Sequence, residues 1–252
     1  MSDEHEILRN RFIELAKKSH GSGVFLFSDF LGLAEQSVFQ GALRELQGAK
    51  YTLFGGAEGA ERVMVRFGDP DELFYEVPFP IVTVKIEPKS IKFADKLTHR
   101  DFLGALLNLG IERSVIGDII VRDSVAYVFA KEDMAKYIVA ELSRVKRTDV
   151  NSSICDTLPH GELYKTEEKT VQISSERLDA VIARAYNLSR DDAQRLFAKG
   201  LVFASGKEIT STSYTPKENE KISVRGYGRF IYRGFTSNTK KGKLNVLLEL
   251  YV

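Results

Sequence analysis

The stretch Ser174–Tyr232 constrains this chain most, because its order of parts admits few folds. Leu178, Val181, Ile182 and Ala185 fall at helical spacing and make one apolar stripe. Ser174 or Ser175 is placed to cap that helix. Ser189, followed three residues on by Asp192, is an acidic variant of the capping box and opens a second helix with Ala193, Leu196 and Phe197 inward. Gly200 stands where a helix end takes a positive φ. Short strands are expected at Leu201–Ala204 and Lys207–Thr210, turned tightly at Ser205-Gly206.

Charge follows the same boundary. Positions 174–252 hold 14 Lys/Arg against eight Asp/Glu, whereas positions 1–173 hold 22 against 27. The formal net charge of +1 therefore hides a basic C-terminal third, which suits a polyanion there. Arg190, Arg195 and Lys199 on the second helix are the expected phosphate contacts, and Lys207 at the hairpin extends them. Arg177 and Arg184 on the first helix, with Arg225 and Arg229 near the last strands, widen that surface. Such contacts read RNA by shape and charge.

The 252 residues allow one large domain or two to three small ones. Cys155 is the single cysteine, so an internal disulfide and a multi-cysteine zinc site are excluded. The acidic start MSDEHEILRN is unlike a signal peptide, and no apolar run approaches a membrane span. A cytoplasmic monomer without cofactor or membrane partner is expected.

Taken in order, the expected fold class is α+β in three small units. Residues 1–78 read as helix, helix and hairpin: Glu4–His20, Leu33–Leu46, then strands Tyr51–Phe54 and Arg62–Phe67. The Gly55–Gly59 segment between those strands lacks the Lys and Ser/Thr of a phosphate loop and reads as a connection. Residues 79–155 read β-α-β-β-α-β, a ferredoxin-like plait. Its strands are Ile81–Glu87, Asp118–Arg122, Ser124–Ala130 and Asp149–Ile154, with a turn at Arg122-Asp123. Its helices are Thr98–Leu109, capped by Thr98, and Lys131–Val145. Residues 156–169 read as a linker, and 170–252 as the basic unit, with a lead-in strand Val171–Ile173. A polar loop Gly234–Lys243 carries Lys240, Lys241 and Lys243, and Leu244–Val252 closes the chain as a strand.

Catalytic motifs do not complete. His99-Arg100-Asp101 has Leu106 where a kinase loop needs Asn. The four histidines show no metal-ligand spacing. Asp179 sits in a first helical turn, where a carboxylate suits the helix dipole or orients an arginine.

Arg177-Leu178-Asp179, Ser189-Arg190, Gly200 and Val202-Phe203-Ala204-Ser205-Gly206-Lys207 resemble the RNA-binding domain named after small-subunit ribosomal protein four. Ser205 replaces the usual Asn, and Asn219-Glu220 the usual Gly-Asp. Upstream, Leu97–Leu106, Leu109-Gly110-Ile111, Ile116-Gly117-Asp118-Ile119 and Glu61-Arg62 resemble the middle-domain signature of the bacterial YlmH family, so the resemblance spans essentially the whole chain. It implies a non-catalytic protein that binds rRNA or tRNA on the large ribosomal subunit, in rescue of stalled translation. His99, Arg100, Arg113 and Arg122 would add a second contact from the middle unit. The rival readings are an RNA-modifying enzyme of pseudouridine-synthase type and a cell-division adaptor.

Overall fold

The computed structural model describes residues 3–46, 48–156, 158, 163–239 and 242–251. The chain divides into two compact units, Met1–Glu35 with Gly41–Leu163 and Gln36–Gln40 with Tyr164–Val252. The content is mixed helix and antiparallel strand, an α+β fold.

The amphipathic N-terminal run forms α1 (Asp3–Ser22), with Phe12, Leu15 and Ala16 buried. β1 (Leu26–Phe27), α2 (Leu33–Ala42), β2 (Tyr51–Phe54), β3 (Met64–Phe67) and α3 (Pro70–Leu73) follow. β3 is buried along its length and lies between β1 and β2, antiparallel to both. The expected hairpin thus gains a third strand. β1 is two residues long, too short for alternation to mark it, and is held by pairing of Leu26 with Phe67 and Phe27 with Arg66.

The plait contains β4 (Ile81–Pro88), α4 (His99–Asn108), β5 (Ile116–Arg122), β6 (Val125–Lys131), α5 (Glu132–Glu141), β7 (Arg144–Val145) and β8 (Thr148–Cys155). The strand order β5-β6-β4-β8-β7, antiparallel throughout, is that of a split βαβ sheet with one short strand added. Val84, Ile86, Phe102, Leu106, Val128 and Ile138 meet in its core. Asp101 accepts from the Thr98 amide at 2.8 Å and from its hydroxyl at 2.7 Å, which fixes the start of α4. Two expectations shift. The hairpin turn is at Asp123-Ser124, both with positive φ, since Arg122 pairs with Val125. The last helix stops at Glu141 rather than Val145, because Arg144 and Val145 turn through Lys146 to pair with Asp149 and Thr148. Leu142 and Val145 remain buried there, which imitates a continued helical stripe.

The second unit contains β9 (Thr166–Ile173), α6 (Leu178–Ala185), α7 (Arg190–Ala198), β10 (Val202–Ala204), β11 (Lys207–Glu208), β12 (Glu220–Val224), β13 (Gly228–Asn238) and β14 (Leu244–Tyr251). Its sheet runs β11-β10-β12-β13-β14-β9. The inward stripes of α6 and α7 cover one sheet face through Leu178, Val181, Ile182, Leu196, Phe197 and Phe230. The lead-in strand begins at Thr166, inside the stretch read as linker, and pairs with β14 over its whole length. β13 runs to Asn238 through what reads as a loop from Gly234, because register shifts after Tyr232 and after Phe235 break its alternation. Lys240, Lys241 and His160 lie outside the described residues.

Arg62 ties the first unit together. Its guanidinium donates to the carbonyls of Ile116 at 2.9 Å, Phe30 at 3.1 Å and Arg113 at 2.8 Å. In return, Asp118 accepts from the backbone amides of Glu61 at 2.8 Å and Arg62 at 3.0 Å. The segment before β3 is thereby fixed to the start of β5. Arg62→Ala should strand three carbonyls and cost on the order of 3 kcal/mol, read as a lower urea midpoint for the full chain.

Candidate nucleic-acid interface

The basic residues of the second unit divide by their partners. Asp179, one residue into α6, is fully buried. Arg177 donates to its carboxylate at 3.2 and 3.1 Å, Arg190 at 3.2 and 3.2 Å, and Gln194 at 3.0 Å. Burial pushes this carboxyl up, but Arg177, Gln194 and Arg190 outweigh burial and hold its pKa below 3.8. The sequence reading of Asp179 as an orienter of arginine fits this geometry. Arg190, expected as a phosphate contact, faces both ways, with 44% of its side chain exposed and its fork on Asp179.

The serines expected to cap α6 do not do so. Arg177 occupies the cap position without a side-chain cap. The first amides of α6 donate instead to Tyr214 O at 2.7 Å and Thr212 O at 3.4 Å, groups more than 30 residues downstream. At α7 Ser189 caps as expected: the Asp192 amide donates to its hydroxyl at 3.1 Å, and that hydroxyl donates to the Asp192 carboxylate at 2.6 Å, a variant of the reciprocal box. Ser205 and Gly206, at φ 47° and 80°, turn β10 into β11.

Arg184, Lys199, Lys207 and Arg225 are exposed. Arg195 is 71% exposed and pairs with Asp192 at 3.3 Å. Arg225 lies 5.1 Å above the Phe203 ring. Arg229 corrects the expectation: it is 9% exposed, with its guanidinium 4.6 Å from the Tyr164 ring and 4.1 Å from that of Tyr251. It packs on aromatic rings and is largely withdrawn from solvent.

A hollow of about 340 Å³ opens between β9, α6 and the start of α7, lined by Arg184, Arg190, Lys243, Ser174, Ser189 and Gln172 among others. A second, about 320 Å³, shares Gln172, Arg184 and Lys243 and adds Lys169. Lys169 donates to Ala185 O at 2.7 Å and so caps the end of α6. Lys243, named in the sequence reading only as part of a loop tip, is brought here by the β13–β14 turn.

In the first unit, His99 and Arg100 open α4 and are exposed. Groups packed about the His99 ring desolvate it, and together with the charge of Arg113 they hold its pKa below 6.5. The shift favours the neutral imidazole and weakens any cationic contribution of His99. Arg113 is turned inward onto Gly117 O at 3.0 Å, its pKa brought down to about 10 by burial and by Arg62. Arg122 donates to Leu163 O at 3.2 Å.

A basic two-helix face on an antiparallel sheet, in a chain that also carries a ferredoxin-like plait, defines the class: an α+β protein equipped for a polyanion. The family model described as "Putative RNA-binding domain in YlmH" matches residues 76–157, the span of the plait. The chain is 29% identical over 233 residues to "Ribosome-associated protein quality control protein P2" of Bacillus subtilis (strain 168), covering 88% of this chain and 86% of that one. Among solved structures it is similar to "Cell division protein ylmH from Streptococcus pneumoniae", at 24% identity and a TM-score of 0.48, over 62% of this chain and 93% of that one. The chain is thus similar to YlmH proteins, through its plait and along most of its length.

Two outcomes follow from the Asp179 cluster. Asp179 has a depressed pKa, so its stabilisation is present above the unfolded value of 3.8 and lost as pH falls below it. Asp179→Asn should therefore lower stability at pH 7 and flatten the acid loss below about pH 4, measured by urea unfolding across pH. Arg190→Ala should cost about 1–2 kcal/mol, less than breaking a fully buried pair, because its head is partly in water and Arg177 remains. Arg195→Ala should leave the melting temperature unchanged.

Proposed function

We propose that this protein binds structured RNA on the ribosome through its C-terminal unit and acts by contact, without turnover. The observation that carries this reading is the cationic hollow, in which α6, α7 and the β13–β14 turn each contribute a positive side chain to one concavity. Phosphate positions such a surface, and groove shape selects the RNA. Arg177, Arg195, Lys199, Lys207 and Arg225 extend the contact over the same unit, and Arg100 adds one from the plait. The family match to an RNA-binding domain and the ribosome-associated relative support the class of partner. The family resemblance supports the finer reading: a monomer that engages rRNA or tRNA on a large subunit carrying peptidyl-tRNA, during rescue of stalled translation.

The test is co-sedimentation of the pure full-length protein with isolated large subunits, loaded with or stripped of peptidyl-tRNA, across a salt series. Binding should fall steeply with salt. Arg184→Ala and Lys243→Ala should each weaken it and reduce the salt slope by about one. Unchanged binding in the double variant would sink the RNA-facing role of the hollow. Equal binding to stripped subunits would sink the peptidyl-tRNA reading.

A further inference from the structure

The loop between β3 and β4 holds an aromatic ring in water. Phe74 is 93% exposed and sits at φ 60°, ψ 21°, a left-handed conformation that costs a bulky side chain energy. Its surroundings are fixed. The Phe74 amide donates to Pro70 O at 2.9 Å, and the Asp69 carboxylate accepts from the Asp71 amide at 2.9 Å. The Tyr75 hydroxyl donates to Gly23 O at 3.2 Å, and its ring meets Phe25 edge-on at 5.1 Å. Arg66, 6% exposed, stacks over Phe25 and Phe79 and donates to Glu76 at 3.0 Å and to Val77 O at 2.9 Å. Strain kept at an anchored, exposed position points to use.

The chemistry around the ring narrows the partner. Residues 69–76 read DPDELFYE, four carboxylates and no basic residue, and with Glu76 held by Arg66 the carboxylates of Asp69, Asp71 and Glu72 are left to face a partner. The Gly68 amide donates to Lys50 O at 3.0 Å, which joins this loop to the head of β2. β2 is an edge strand that exposes over a third each of Tyr51, Leu53 and Phe54 and carries no charge or proline to blunt it. An acidic collar repels phosphate, so neither RNA nor an anionic bilayer suits this face.

We propose that Phe74 and its acidic collar, continued by the β2 edge, form a docking surface for a basic protein segment. Phe74 enters an apolar pocket, and the carboxylates meet lysine or arginine at its rim. The surface belongs to the first unit and does not depend on the RNA reading.

The test places a benzoylphenylalanine crosslinker at position 74 of the full-length protein in cells and reads adducts by mass spectrometry. The expected adduct is a lysine- or arginine-rich peptide of another protein, lost in Asp71→Lys/Glu72→Lys. An adduct with RNA, lipid, a second copy of this chain or an acidic peptide would overturn the inference. So would a signal no stronger than that of the same probe at Ile7, another exposed apolar position. In a second arm the probe stands at position 72 and Phe74→Gly is introduced. Gly relieves the left-handed strain, so the melting temperature should rise while the adduct disappears. A fall in melting temperature, or an adduct that persists, would show that Phe74 serves the fold or is idle.

Discussion

A carboxylate removed from water demands partners, and the second unit is built around that demand. Asp179 lies on α6, while Arg190 and Gln194 lie on α7. Their hydrogen bonds to it set one helix against the other more specifically than the apolar stripe between them does. Both arginines use planar forks, which a lysine's point charge would not reproduce. The cluster holds two positive charges against one negative, so a net positive charge remains, and the outer parts of both guanidiniums reach solvent. The group that neutralises the inside thus also charges the outside. If the C-terminal unit binds RNA as proposed, Arg177 and Arg190 serve both stability and binding, whereas Arg184, Arg195 and Lys243 are free of the Asp179 cluster.

That coupling shows why a count of basic residues is a poor map of a surface. Arg229 and Arg225 are four residues apart on neighbouring parts of one sheet. Arg229 packs against Tyr164, just before β9, and Tyr251, at the end of β14, whereas Arg225 lies over a phenylalanine and is exposed. Nothing in the local sequence separates them, because the distinction rests on Tyr164 and Tyr251. Arg113 is a similar case: its charge is taken up by the carbonyl of Gly117 in the first unit.

The elements legible in advance were those with local causes. The α6 stripe, the Ser189 cap, Gly200 and the Ser205-Gly206 turn each need only a few adjacent residues to state their geometry, and each is found where expected. What was misread depends on distant pairing. The α6 cap is supplied by Thr212 and Tyr214 rather than by a serine beside it. β1 and β7 are too short to show a period. β13 hides behind two bulges, and the hollow that gathers Arg184, Arg190 and Lys243 needs three elements in place before it exists.

The plait also limits how it can meet RNA. Modules of this topology bind single strands by stacking bases on aromatic side chains of the sheet. In this chain the third plait strand, β6, carries Tyr127 and Phe129, yet Phe129 is 1% exposed. The reason is close approach from within the same unit. A Cβ at Gly56, which has φ +98°, would come within 2.4 Å of the Phe129 ring. A Cβ at Gly117 would come within 2.7 Å of Phe30 and 2.9 Å of Phe129. Those two glycines let the β2–β3 connection and Phe30 pack onto Phe129, so this ring is spent on packing rather than offered to a base. Tyr127, two residues away on the same face, is half-buried, and His99 and Arg100 stand exposed at the start of α4. On this packing the proposed RNA contact of the C-terminal unit rests on its placed charges more than on its overall surplus.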